Sequence, residues 1–286
     1  PPTHNPRTGA VIPAHVLGAP VPKASPGDDR RALLAAWLTA PDNPWFARNL
    51  ANRTWAHFLG RGLVEPVDDV RATNPPSNPE LLDALAGHLV ESKFDFRELV
   101  RAITASRVYQ LTSRPNPTNE RDEQNNSRAL LRRIDAEVLL DMVCQATGVG
   151  EKFAGVPAGA RAVQLWDSKS GNYFLKLFGR PVRVSVCECE RNQEPSVSQV
   201  LHLLNGPEVQ AKLSNEGGTV ARLVRRQPDD AALAEELYLT FYSRLPDAPE
   251  RRTAVAYLRR DPSHRRQAAE DLAWGMLNSL EFVFNH

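Results

Sequence analysis

The sequence predicts a mainly α-helical protein: a multi-helix orthogonal bundle with one long irregular segment that leaves room for short strands. Three observations carry this prediction. Residues 43 to 111 hold three stretches with legible helix starts, stops and apolar stripes. Further stripes recur over 135–147, 196–213 and 233–284. Between them, from Gly150 to Glu194, glycines recur and helical periodicity lapses.

Taken in order, residues 1–27 are rich in proline and glycine without periodicity and read as an extended lead-in or linker. Because the chain opens on Pro1, we expect it to be cut from a longer one. Asp28 or Asp29 can cap a short helix through Leu33, Leu34, Trp37 and Leu38 that ends before Pro41. Asn43-Pro44 offers an N-cap followed by a proline at the first helical position, where its missing N–H costs nothing. Ala47, Leu50, Ala51, Thr54 and Phe58 then share a face flanked by Phe46 and Trp55, with Arg48, Asn52 and Arg53 away from it. Gly60 and Gly62 can close this helix in the left-handed conformation. The next start is Asn78-Pro79, or a Ser77/Glu80 capping box, ahead of Leu81, Leu82, Leu85 and Leu89. Asp95 and Glu98 have capping-box spacing ahead of Leu99, Val100 and Ile103.

Residues 113–128 are polar, carry two prolines and read as an exposed loop. Helix resumes near Asp135 and ends at Gly148, with Leu139, Leu140, Val143, Cys144 and Ala146 forming a broad apolar face. After the irregular segment, two short helices flank a break at Asn205-Gly206-Pro207. Leu233, Leu237 and Phe241, then Val255 and Leu258, then Leu272 through Phe284, mark three more helices. This organisation gives blocks 28–149, 150–195 and 196–286, expected to form one continuous domain behind the lead-in.

Composition narrows the functional classes. Apolar residues make up 42% and charged residues 24% of the 286, ordinary globular usage. A net charge of +1 supplies no strong field for nucleic acid or anionic lipid. The longest apolar runs fall far short of the roughly 20 residues that span a bilayer. No motif for a cofactor is present.

Candidate chemistry concentrates in the irregular segment, because loops on a rigid scaffold are where sites tend to sit. Trp166 and Tyr173 could stack on a sugar or another flat ligand, and Arg180 and Arg191 could bind its polar groups. Asp167 and Glu190 are the candidate acid and base, one carboxyl held protonated by burial and the other ionised. The plainer reading is a solvated loop in which the arginines pair with acidic neighbours and Trp166 plugs the core. In RVSVCECERNQ an extended chain would put the Cys187 and Cys189 sulfurs on one face, where two thiolates could share a soft metal with His202 or Asp167. Three cysteines also allow Cys144 to join Cys187 or Cys189 in a disulfide, a strained Cys187–Cys189 bridge, or unpaired thiols. Against a bridge, Cys144 lies on an apolar stripe, where a free cysteine behaves as a small hydrophobe. His57 and His88 lack a second ligand at i+4, and the arginines from Arg222 to Arg266 read as exposed helix faces. Asn52, Arg53 and Trp55 could form a buried polar anchor between helices.

The motifs Asn52-Arg53, Trp55, Phe58, Gly60, Gly62-Leu63-Val64 and Pro79 through Leu82 occur in order, followed by Ser106-Arg107, Tyr109, Arg132-Arg133, Glu137, CECER, Glu194-Pro195-Ser196 and Asn278-Ser279. With them the chain resembles, over nearly its whole length, domain of unknown function 1553, a family abundant in planctomycetes. The resemblance implies the C-terminal part of a large exported protein, often preceded by another domain and sometimes by a cytochrome-c-like one. It thus implies an extracytoplasmic setting with neighbouring domains of the same chain as partners; an extracellular polymer is a further expected partner. No catalytic residues come with it, and the chain lacks a C-x-x-C-H haem motif. Over about fifty residues, Leu237-Tyr238, Arg244, Pro246 and Ser279 to Phe282 are similar to domain of unknown function 4214, which implies packing or adhesion. The leading expectation is therefore an interaction or scaffold module. The rivals are a hydrolase of an extracellular polymer with its site in 163–194, and a metal or redox role at Cys187 and Cys189.

Overall fold

The computed structural model describes residues 3–12, 16, 28–122, 124–166, 171–182 and 196–285, which form a mainly α-helical protein with two very short antiparallel strand pairs. The chain divides into two compact units, Pro1–Leu130 and Leu131–His286. The division falls inside the stretch 28–149.

In the first unit, β1 (Thr3–His4) pairs with β2 (Val11–Ile12), with Thr3 opposite Ile12. Helix α1 (Arg30–Leu38) starts where Asp29 accepts the Arg31 N–H, and it has no fully buried residue. Helix α2 (Phe46–Leu59) begins two residues later than Asn43-Pro44 suggests. Asn43 still organises the start, because its side-chain oxygen accepts the N–H groups of Trp45 and Phe46 while its amide donates to the Trp37 carbonyl. Asn78 caps α3 (Pro79–Glu91) and Asp95 caps α4 (Phe96–Thr104). The three helices bury Ala51, Trp55, Leu59, Leu82, Leu89, Leu99 and Ile103 against Leu63 and Val64. α3 ends through Lys93 and Phe94, both left-handed, which lets the Phe94 N–H reach the Leu89 carbonyl and brings its ring to 5.7 Å from Phe46.

Asn52 corrects the helical-wheel reading, for it faces inward and is 1% exposed. Its oxygen accepts the Val64 N–H at 2.9 Å and its amide donates to the Val64 carbonyl at 3.0 Å. A buried amide is tolerated because both of its ends are paired. Of the two glycines expected to close α2, only Gly60 is left-handed, at φ 85°. Gly62 is needed for space, since a Cβ there would lie 2.3 Å from the Val64 oxygen and 3.1 Å from Asn52 Oδ1.

In the second unit, β3 (Arg132–Arg133) pairs with β4 (Phe284–Asn285), joining the two ends of that unit. Between them run α5 (Ala136–Thr147), α6 (Tyr173–Leu177), α7 (Val197–Asn205), α8 (Pro207–Leu213) and α9 (Thr219–Arg226), then α10 (Asp230–Tyr242), α11 (Ala248–Arg259), α12 (Arg265–Leu277) and α13 (Leu280–Val283). Leu139, Leu140 and Val143 of α5 join Leu233 and Leu237 of α10, Leu258 of α11, and Ala273 and Leu277 of α12 in one core. Gly148 ends α5 at φ 69°, pressed so closely on α9 that a Cβ would lie 2.5 Å from Thr219 Oγ1. Arg265 joins α9 to α10: it pairs with Asp230 at 2.8 Å and donates to the Val224 and Gln227 carbonyls, satisfying groups the end of α9 leaves open. Arg244 grips both Glu250 and Glu281 through two hydrogen bonds each, with its guanidinium over Tyr238 and Tyr242. The two carboxylates hold its charge above the ordinary arginine range, and burial pushes the Tyr238 hydroxyl up to about 12.

Candidate functional site

The irregular segment is held to the helices by polar side chains. Glu137 and Asp141 stand one turn apart on the largely apolar α5. Asp141 accepts the Ala162 N–H at 2.7 Å and the Val163 N–H at 3.3 Å, starting a short 3₁₀ turn over Ala162–Gln164. Glu137 receives Arg180 at 3.3 Å, and the same guanidinium donates to the Leu165 carbonyl at 3.1 Å. Arg133 donates to the Phe178 carbonyl, and Gln199 of α7 to the Leu177 carbonyl. Lys212 of α8 is buried, with its ammonium between the Val149 and Gly150 carbonyls and the Glu151 carboxylate, at 3.1 to 3.2 Å. Placing a cation beyond the C-terminus of α5 also suits the helix dipole. Each of these charges satisfies backbone groups that an irregular chain cannot pair with itself.

The described residues show where some of the sequence-derived candidates lie. Arg180 is a strut whose side chain is 9% exposed. Trp166 does not plug the core, for it is 77% exposed. Tyr173 is likewise exposed, and its ring meets His202 edge-on at 5.4 Å. His202 is enclosed by Tyr173, Phe174 and Phe178, with Glu208 4.0 Å away. Asp167, Glu190, Arg191, Cys187 and Cys189 lie outside the described residues. Cys144 carries a free thiol, which removes the alternative of a bridge from it to Cys187 or Cys189. Burial against the core pushes that thiol up, partly opposed by Lys212. Among the described residues no group of three or more His, Cys, Asp or Glu is placed to hold a metal, and no helix is long and apolar enough to cross a membrane.

Two features went unanticipated. Asp261, Ser263 and His264 cluster at 2.5 to 3.0 Å. They are no catalytic triad, because the serine hydroxyl and the aspartate meet the same ring nitrogen, Nδ1, leaving no relay through the imidazole. The cluster is instead the cap of a 3₁₀ turn (Pro262–His264), and the Ser263 and then the His264 contacts hold Asp261 down at about 2. Beside it opens a cleft of about 670 Å³ between α8 and α12, lined by Gln210, His264, Gln267, Glu270, Asp271 and Trp274. Its signal in sequence was Gln267, Glu270, Asp271 and Trp274 at i, i+3, i+4 and i+7, one helical stripe that is not apolar.

Residues 30–258 match the model of a protein family described as PSD1, protein of unknown function (DUF1553). The chain belongs to this family. DUF1553 thus accounts for the first unit from α1 onward, the pegged irregular segment and the second unit through Leu258, while the cleft-lining stripe of α12 follows the matched residues. No curated protein and no solved structure matches the chain.

Proposed function

We propose that this DUF1553 chain works as an interaction module of a larger extracytoplasmic protein, and that the outward face of α7 is the surface on which a neighbouring domain of the same longer chain packs. One observation carries the reading. Val197, Val200 and Leu201 stand at helical spacing with 75%, 55% and 51% of their surfaces exposed. Exposed Tyr173 seats on His202 of the same helix. Leu203 and Gln199 bind α7 inward, so the apolar face is presented by a fixed helix. Contiguous exposed apolar surface of this kind is characteristic of protein–protein contact.

The test mixes the chain with the separately expressed remainder of the longer protein. Val200→Lys with Leu201→Lys is expected to weaken association at least tenfold while leaving the thermal transition in place. Equal association of both forms, or none by the unsubstituted chain, overturns the proposal. Turnover of a polysaccharide that disappears in Asp167→Asn or Glu190→Gln would replace it with the hydrolase reading.

A further inference from the structure

We propose that the cleft between α8 and α12 binds a neutral oligosaccharide chain, with Trp274 as the stacking platform. This stands apart from the packing surface on α7. The cleft volume, about 670 Å³, lies within the range of small-ligand sites, roughly 300–1,000 Å³. Its walls are amphipathic in the way a sugar is, with an aromatic ring for the C–H face and amide and carboxylate groups for the hydroxyls. Trp274 is half-buried and its indole N–H is bound to the Leu204 carbonyl at 3.0 Å, which fixes the ring before any ligand arrives. A preformed aromatic surface gives up little conformational freedom on binding.

The polar groups sort the ligand by charge. Arg266 at the rim is occupied: Glu216 lies 2.5 Å away, Glu270 2.8 Å away, and the Ser214 carbonyl accepts a third bond. Asp271 accepts the Tyr257 hydroxyl at 2.9 Å and adds a carboxylate to the cleft wall. With Arg266 paired and Glu270 and Asp271 on the wall, the charges of the cleft disfavour a phosphate or a uronic acid. Gln267 is exposed and makes no hydrogen bond within the described protein, so its amide can both donate to and accept from a vicinal diol. Gln210 of α8 and His264, at the start of α12, are also exposed at the cleft. The open solvent side suits a chain laid across the cleft better than a small molecule engulfed in it.

Isothermal titration and saturation-transfer NMR of the whole chain with cellohexaose, xylohexaose and chitohexaose, against a galacturonate hexamer, test this. The expected result is saturable binding of at least one neutral probe and none of the anionic one. Trp274→Ala should weaken that binding at least tenfold, about 1.4 kcal/mol, and Gln267→Ala about threefold. Because Trp274 also packs on the core, the exposed Gln267→Ala and Asp271→Ala variants decide the matter if the tryptophan variant unfolds. The proposal is overturned if no neutral probe binds, if the galacturonate binds better, or if affinity stays within twofold in the folded variants.

Discussion

Removing the Asn52 side chain should cost the protein more than its size suggests. In Asn52→Ala the lost amide leaves the Val64 N–H and carbonyl, 2.9 and 3.0 Å from it, without partners in a region where Val64 is 3% exposed. A buried backbone group deprived of its hydrogen bond costs about 1–3 kcal/mol. Two such groups together give about 2–6 kcal/mol, with about 3–4 the central expectation. Asn52→Asp is the sharper probe: it keeps an acceptor for the Val64 N–H but sets a carboxylate oxygen against the Val64 carbonyl, so it should be at least as harmful at pH 7. Urea unfolding followed by far-UV circular dichroism and by tryptophan fluorescence, which includes Trp55 of the same helix, gives both values. Destabilisation below about 1 kcal/mol in the alanine variant, or an aspartate variant as stable as the parent, would refute the two-ended pairing.

Three further expectations follow from the same geometry. Gly148→Ala should destabilise by about 2–4 kcal/mol, from the left-handed φ of 69° and from a Cβ set 2.5 Å from Thr219 Oγ1. Adding Thr219→Ala should restore the steric part and not the conformational part, and a double-mutant cycle in urea separates the two. Lys93→Gly should stabilise by about 0.5 kcal/mol, since an exposed lysine at φ 56° is strained and glycine is not, whereas Lys93→Ala should gain nothing by thermal melting. The Arg265 hydrogen bond, supported by Arg259, holds the Asp230 carboxyl below its ordinary 3.8. A carboxyl lowered by folding adds stability that is complete above its unfolded value, near 3.9, and is lost as pH falls through the lower folded one. Asp230→Asn should therefore cost about 1–3 kcal/mol at pH 7 and progressively less below pH 4. A difference from the parent that stays constant from pH 7 to pH 2 would exclude the ion pair as its cause.

What could be read from sequence was what local physics enforces. Asp29, Asn78 and Asp95 cap helices because a short polar side chain before an apolar stripe has few better uses, and Gly60 and Gly148 end helices because left-handed backbone favours glycine. The mainly helical fold follows from such signals. Local rules gave poorer guidance where a non-glycine took the left-handed conformation, as at Lys93 and Phe94, since there the contact of Phe94 with Phe46 sets the backbone. The irregular segment was legible as a change of pattern, and Trp166, Tyr173 and Arg180 as chemically capable residues.

Their roles were decided by distance along the chain. Arg180 becomes a strut because Glu137, more than forty residues earlier, and the Leu165 carbonyl converge on it. Trp166 is exposed although a tryptophan in a helical protein is an ordinary candidate for the core. Asn52 lay off the apolar stripe of its helix and was legible only as an anchor without a partner, which appears because Gly62 lets the chain after α2 fold back and present both backbone groups of Val64 to it. The cleft beside Trp274 exists only because α8 and α12 stand side by side, more than fifty residues apart in sequence. The sequence by itself determined most of the helical segments, many of their starts and which face of most is apolar, since those choices rest on neighbours within four residues. Only the tertiary structure decided which polar groups are pegs, which aromatics are surface and where a cleft opens, because burial and charge pairing are set by partners that local spacing does not specify.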